Sequence, residues 1–395
     1  MRTQALLSLS LALTLVLSAP GRAAAAPVKI GFVNSVTGPE APIGEALTNG
    51  VDLAMDDLKK KGVDIQLLRQ DDTGKPQVAM SALEQLATGD EVVAVVGPYA
   101  SAPANAIAKL AEQYKVPLLI PVASKEDITR QGYQWVFRLN APAHNYADDL
   151  IDAALAFGKP KTIAFIYEST DFGTSVATLG KQYAQQKGLK IVGDEAYQKG
   201  AADYRSTLTK LKAQNPDLVL MVSYVADAVL LMRQSREVGL KPQAFLGGGA
   251  GFDTAQFQNE HDISNGVFVV TQWTPDNGKP GSGDFAQRYE KRFGKRPTYH
   301  AATAYESMMI MGDVVQKAGG DRKKIREALA TGTWTGIMGQ VKFQTYEGFT
   351  NQNRHQMVVF QYQGDKTPVV FPPQAATAKP VWPFPGFGKS GSAQR

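Results

Sequence analysis

No cysteine occurs in the 395 residues. Disulfides, thiolate metal centres and cysteine nucleophiles are therefore excluded, and a chain this long has enough interior to do without cross-links. A lipid anchor on a cysteine at a leader cleavage site is excluded as well. Histidine is nearly absent: His144, His261, His300 and His355 lie far apart, with no HxxxH or HExxH spacing, so no metal site is expected. A charge surplus is also missing. The net charge is +5, and two of the surplus cations, Arg2 and Arg22, fall in the first stretch of chain. So weak a balance argues against nucleic acid and against an anionic membrane surface as partners. Long apolar runs are confined to the start. Arg2, an apolar segment over 5–17 and Ala23-Ala24-Ala25-Ala26 read as a cleavable signal peptide over 1–26. At about 15 residues that segment is too short for a comfortable membrane span. The expectation is an exported protein, freely diffusing in the periplasm.

The stretch over 92–129 organises what is present. Val92-Val93-Ala94-Val95-Val96 has the length and composition of a buried strand, and Gly97-Pro98 ends it. Ile107, Leu110, Ala111 and Tyr114 then recur at helical spacing, and Val116-Pro117-Leu118-Leu119-Ile120 reads as a second strand before the turn Val122-Ala123-Ser124. Strand, helix and strand make a right-handed βαβ unit with parallel strands. Ser101 and Ser124 then share the carboxyl edge of one sheet, where open parallel sheets bind ligands. A helix beginning near Ala102 points its free N–H groups at the same place, which favours an anion. Two hydroxyls and a helix N-terminus together suggest a carboxylate cradle.

The same alternation runs through most of the chain. Strands are expected over 28–33, 65–68 and 135–139, with helices over 43–61 and 76–87 between them. A second series follows a helix carrying Tyr146 and Leu150. Its strands are expected over 162–167, 190–196, 218–222, 243–246 and 267–271, and its helices over 172–187, 204–213 and 226–238. Such regularity means α/β with parallel sheets, and two series suggest two similar lobes. From Gly281 the pattern turns helical over 284–293, 298–318 and 322–330, with short strands over 339–343 and 357–362. The tail from Pro372 is rich in Pro, Gly, Ala and Lys, and 386–395 is expected to be disordered.

Enzyme motifs are scarce, and no nucleophile–base pair is found. Gly388-Lys389-Ser390 resembles the end of a phosphate loop, but Pro383 stands where the earlier glycine is required. Gly247-Gly248-Gly249-Ala250-Gly251 follows a strand without the dinucleotide register, and suits a loop of close backbone approach. Ser124 reads equally as the first residue of a capping box, and Ser101 as a helix N-cap. Aromatic residues are more often core than ligand clamp. Phe172, Tyr224 and Trp273 stand out because each follows an expected strand, on the rim where sites occur.

Several segments together resemble the leucine/isoleucine/valine-binding family, the type I periplasmic binding proteins of ABC importers. They are Ser35-Val36-Thr37-Gly38-Pro39, Val96-Gly97-Pro98 with Ser101, and Pro121-Val122-Ala123-Ser124. Asp171-Phe172-Gly173, Arg233-Gln234 through Glu237-Val238-Gly239-Leu240, and Ala304-Tyr305-Glu306 complete the set. The resemblance covers essentially the whole mature chain. It implies two doubly wound parallel-sheet lobes joined by a three-strand hinge: 27–140 with 274–350 in lobe 1, 141–273 with 351–380 in lobe 2, and a flexible tail over 381–395. It implies a ligand carboxylate held by Ser101 and Ser124 with Tyr99, Val122 and Ala123 beside them. Ile43, Phe172 and Tyr224 then line a side-chain pocket, and Trp273 lies near the hinge. No cofactor is implied, and the partners are a small carboxylate and an inner-membrane permease, with the chain a monomer.

One departure bears on the ligand. Amino-acid binders of this family carry an acidic residue for the ligand ammonium after the 243–246 strand, and Gly249 stands there. A buried ammonium without a carboxylate is costly. The expectation is a hydrophobic or aromatic carboxylate, unless Asp171 or Asp227 supplies the charge for a branched-chain or other amino acid. A periplasmic ligand sensor of the same fold is a further alternative.

Overall fold

The computed structural model describes residues 27–388; the signal peptide read over 1–26 and the end of the tail lie outside them. Strands β1 (Val28–Asn34), β2 (Ile65–Asp71), β3 (Ala94–Val96), β4 (Leu118–Ile120) and β5 (Val136–Arg138) form one parallel set. Strands β6 (Thr162–Glu168), β7 (Lys190–Tyr197), β8 (Leu218–Val222), β9 (Ala244–Gly247) and β10 (Phe268–Thr271) form a second. Both adopt one order, β2-β1-β3-β4-β5 and β7-β6-β8-β9-β10. The chain thus builds the same lobe twice. Strands β3, β4, β8 and β9 are wholly buried, because helices cover both faces of a parallel sheet.

The helices are α1 (Ala41–Lys60), α2 (Pro76–Glu84), α3 (Ser101–Tyr114), α4 (Asp127–Arg130), α5 (Ala143–Phe157), α6 (Asp171–Gln186), α7 (Arg205–Ala213) and α8 (Val225–Val238). After them come α9 (Ala255–Gln258), α10 (His261–Ser264), α11 (Ser282–Phe293), α12 (Tyr299–Ala318) and α13 (Arg322–Thr331). Each longer one lays an apolar stripe on its sheet or on a neighbour, as α1 does with Ile43, Leu47, Val51, Ala54 and Leu58. No helix of the described residues is long and apolar enough to cross a membrane.

The late strands tie the lobes together. A hairpin of β11 (Trp334–Gly336) and β12 (Gly339–Val341) stands apart. Then β13 (Phe343–Tyr346) and β14 (Phe349–Asn353) extend the first sheet beside β5, while β15 (Val358–Gln361) and β16 (Val369–Phe371) extend the second beside β10. The chain therefore crosses between the lobes three times: before α5, after β10, and between β14 and β15. Side chains stitch these crossings. Gln352 Nε2 donates to Asn140 O at 2.7 Å, Asn353 Nδ2 to Leu139 O at 3.1 Å, and Ala141 N to Gln272 Oε1 at 3.0 Å. Beneath them Arg138, fully buried, donates to Gln352 Oε1, Lys125 O and Thr129 Oγ1.

The tail is a correction to the sequence reading. Residues 381–388 are packed on the second lobe, where Phe384 is buried against Phe245 and Trp382 lies against Phe157 and Phe268.

Candidate functional site

The order β2-β1-β3 reverses direction at β1, as β7-β6-β8 does at β6. Crevices at such switch points, beyond the carboxyl ends of the strands, are where open α/β sheets bind ligands. The two carboxyl edges face each other here. Between them lies a narrow cavity, lined from lobe 1 by the segments after β3 and β4 and from lobe 2 by those after β6, β8 and β9.

Seven of the residues expected from sequence line it: Tyr99, Ser101, Val122, Ala123, Ser124, Phe172 and Tyr224. Ala100, Tyr146, Ala250 and Tyr299 line it too and were not anticipated. Tyr146 carries only a helical core pattern in the sequence, and Tyr299 only the first position of a long helix. Neither has a local signal of a site. Three expected residues stand elsewhere. Ile43 faces an adjoining crevice with His300, and Trp273 packs edge-on against Phe285 beside the hinge. Gly249 stands behind the wall. A Cβ there would lie 2.5 Å from Tyr146 Cε1, so the room that glycine leaves is filled by a protein ring.

The polar end of the cavity is in lobe 1. Helix α3 begins at Ser101 with Ala100 as its N-cap, and the Ser101 side chain caps nothing. Its Oγ instead accepts from Ser124 N at 3.2 Å and Lys125 N at 3.3 Å, leaving its proton for another acceptor. Ser124 does not cap α4, whose N-cap is Glu126. Ser124 Oγ and Tyr99 Oη are buried without a hydrogen-bond partner among the described residues. The first N–H groups of α3 also lack intrahelical acceptors. Hydroxyls and peptide dipoles thus converge where an anion is favoured.

The rest of the wall is aromatic. Tyr99 meets Tyr224 edge-on with ring centres 6.1 Å apart, Tyr224 meets Phe172 at 5.9 Å, and Phe172 meets Tyr146 at 6.0 Å. Burial pushes the hydroxyls of Tyr99, Tyr146, Tyr224 and Tyr299 above the usual phenol range, so all four stay protonated and can donate. Burial also drives His300, behind Tyr99 and Tyr299, down to about 3, and its ring is neutral.

Among the described residues no carboxylate lines this cavity. Asp171 is taken by Lys125 Nζ at 2.9 Å and Asn105 Nδ2 at 3.4 Å, contacts that join the lobes across the cleft. Asp227 accepts from Tyr204 Oη at 2.8 Å and Gly200 N at 3.1 Å. Glu168 accepts from Thr170 N and Gly173 N, both at 2.7 Å.

Comparison with known proteins agrees with this architecture. Residues 27–367 match the family described as periplasmic binding protein. A Leu/Ile/Val-binding protein homolog of Brucella melitensis biotype 1 is 31% identical, over 90% of this chain and 93% of its own. Among solved structures, the branched-chain amino acid transporter substrate binding protein LivJ of Streptococcus pneumoniae, in complex with isoleucine, aligns with a TM-score of 0.78 at 22% identity, covering 90% of this chain and 100% of that one. An ABC-transporter solute binding protein of R. palustris, in complex with benzoate, aligns with a TM-score of 0.78 at 18% identity, covering 92% and 98%. Two like-wound lobes, three crossings, a cleft at the strand ends and this match over most of the chain lead to one conclusion: the protein belongs to the periplasmic binding protein family.

Proposed function

We propose that this chain is the exported substrate-binding component of an ABC importer, that it captures a small aromatic or similarly hydrophobic carboxylate, and that an inner-membrane permease receives it. One observation carries the ligand class. The cavity offers unpartnered hydroxyls beside a helix N-terminus at one end, aromatic rings around the rest, and no acidic group for an ammonium. The anionic head group docks on Ser101, Ser124 and the start of α3. Burying one phenyl ring among the aromatic side chains contributes roughly 2–3 kcal/mol. Closure of lobe 2 over lobe 1 removes water from the cradle, and the ligand favours the closed form by the contacts it makes only there.

The R. palustris relative holding benzoate supports the reading, as does a second from the same genus in complex with 3,4-dihydroxy benzoic acid. The Brucella relatives, named for leucine, isoleucine and valine, favour a branched-chain amino acid instead. Calorimetric titration with benzoate, cinnamate, leucine and isoleucine separates the two. Heat from the aromatic acids is expected; tight leucine binding with silence toward both aryl acids ends the proposal.

A further inference from the structure

Behind the ligand cavity a cation from one lobe meets a carboxylate from the other. Lys199, in the loop between β7 and α7 of lobe 2, pairs through Nζ with Glu40 Oε1, which precedes α1 in lobe 1. The Glu40 side chain is 1% exposed, and Lys199 is its one ion-pair partner among the described residues. Its other oxygen, Oε2, is buried without a hydrogen-bond partner among the described residues. Gly74 closes over that oxygen: a Cβ at position 74 would lie 2.5 Å from it, and the glycine adopts φ +71. The lysine also touches the site. Its Nζ lies 5.2 Å from the centre of the Tyr224 ring, which lines the cavity.

The surrounding charge is negative. Asp72 of lobe 1 is fully buried, holds Ser35 Oγ at 2.6 Å and leaves its second oxygen unpartnered. Asp71 is beside it, and buried Glu168 stands in lobe 2. Closing this region over an anion adds one more negative charge to a dry space. A buried carboxylate without a counter-charge is strongly unfavourable. Lys199 and Glu40 belong to different lobes, so any separation of the lobes would part them.

We propose that Lys199 is a specificity-determining residue: the counter-charge, delivered by lobe 2 on closure, that neutralises Glu40 and lets the cavity shut over an anionic ligand. The assignment rests on the carboxylate reading above. It differs from a simple mechanical latch, in which either partner of the pair is equally needed. If charge balance is what matters, removing the anion is harmless and removing the cation is not.

The test uses the mature protein with Lys199→Met, Glu40→Gln, the double variant and Lys199→Arg, titrated with benzoate and with leucine. Lys199→Met is expected to lose about tenfold or more in benzoate affinity, the scale of an uncompensated buried carboxylate. Glu40→Gln, the double variant and Lys199→Arg are expected to stay within about threefold of the parent, since none leaves Glu40 unpaired. Small-angle scattering without ligand gives a second readout, with Lys199→Met the more open of the two single variants. Equal behaviour of Lys199→Met and Glu40→Gln in both measurements overturns the proposal. A parent that binds leucine and not benzoate overturns the aromatic-acid reading alone, because the scattering order needs no ligand.

Discussion

Ser101 and Ser124 look alike in the sequence and do different work in the fold. Ser101 Oγ holds the backbone amides of Ser124 and Lys125, so it shapes the loop as well as facing the cavity. Ser124 Oγ has no hydrogen-bond partner among the described residues. Ser124→Ala is therefore expected to weaken benzoate binding by about 1–3 kcal/mol while leaving the unfolding midpoint unchanged. Ser101→Ala is expected to cost similar affinity and to lower that midpoint as well. Calorimetry beside chemical denaturation of both variants checks the contrast, and an unaltered affinity in Ser124→Ala removes it from the cradle. Glu306 shows a different residue-scale effect. It is 4% exposed, accepts from Met338 N at 3.4 Å, and is pushed up to about 7 by burial. A carboxyl raised in the folded state gives stability that is complete below its ordinary value near 4.5 and lost as pH rises through 7. Glu306→Gln should therefore stabilise the protein by roughly 3–4 kcal/mol at pH 8 and by almost nothing at pH 4, at about 1.4 kcal/mol per pKa unit. Urea unfolding at the two pH values decides it, and an equal gain at both excludes the carboxyl as its source. Both serines were legible from strand ends and turn chemistry. That Tyr146 and Tyr299 join them was not, because each reaches the cavity from a helix whose local pattern is that of ordinary core.

At the scale of elements, hydropathy alternation finds the βαβ repeats and fails where polar side chains are buried. The sequence pattern marks no strand over 349–353, because β14 contains Asn351, Gln352 and Asn353. All three are buried, and they spend their polar atoms on the neighbouring crossing and the segment before β5. The same physics that makes the hinge specific hides it from a period-two pattern. The tail misleads for the opposite reason. Its prolines and glycines signal disorder, while Trp382, Phe384 and Phe387 anchor it as an extended strap. Phe384 N donates to Gln243 O at 2.6 Å and Val381 N to Gln361 Oε1 at 2.7 Å, so backbone bonds fix the strap between its rings. Truncating a fully buried aromatic costs about 3–5 kcal/mol, and Trp382 is only partly buried. Trp382→Ala is thus expected to cost about 2 kcal/mol of stability with benzoate affinity unchanged. A melting point equal to the parent's means the strap contributes nothing.

For the molecule as a whole, the repeat of one strand order in both sheets was legible as two runs of alternating strands and helices. The meeting of the two carboxyl edges was not, because it depends on side chains brought together across the cleft, such as Lys125 with Asp171 and Arg296 with Gln258. That meeting has a measurable consequence. A ligand that bridges the lobes must stabilise both, by about 2.7 kcal/mol at a concentration of 100 times its Kd. Hydrogen exchange with saturating benzoate is expected to slow in lobe 1 over 99–104 and 122–125, and in lobe 2 over 171–174 and 224–228, where the cavity is lined. The strap packs on Gln243, Phe245 and Phe268, at the opposite edge of the second sheet, where β9 and β10 begin. Its amides should therefore report only global unfolding and show no extra local protection. Protection confined to the lobe 1 segments would mean that the ligand docks without closure, and the cavity between the lobes would then not be the site of capture.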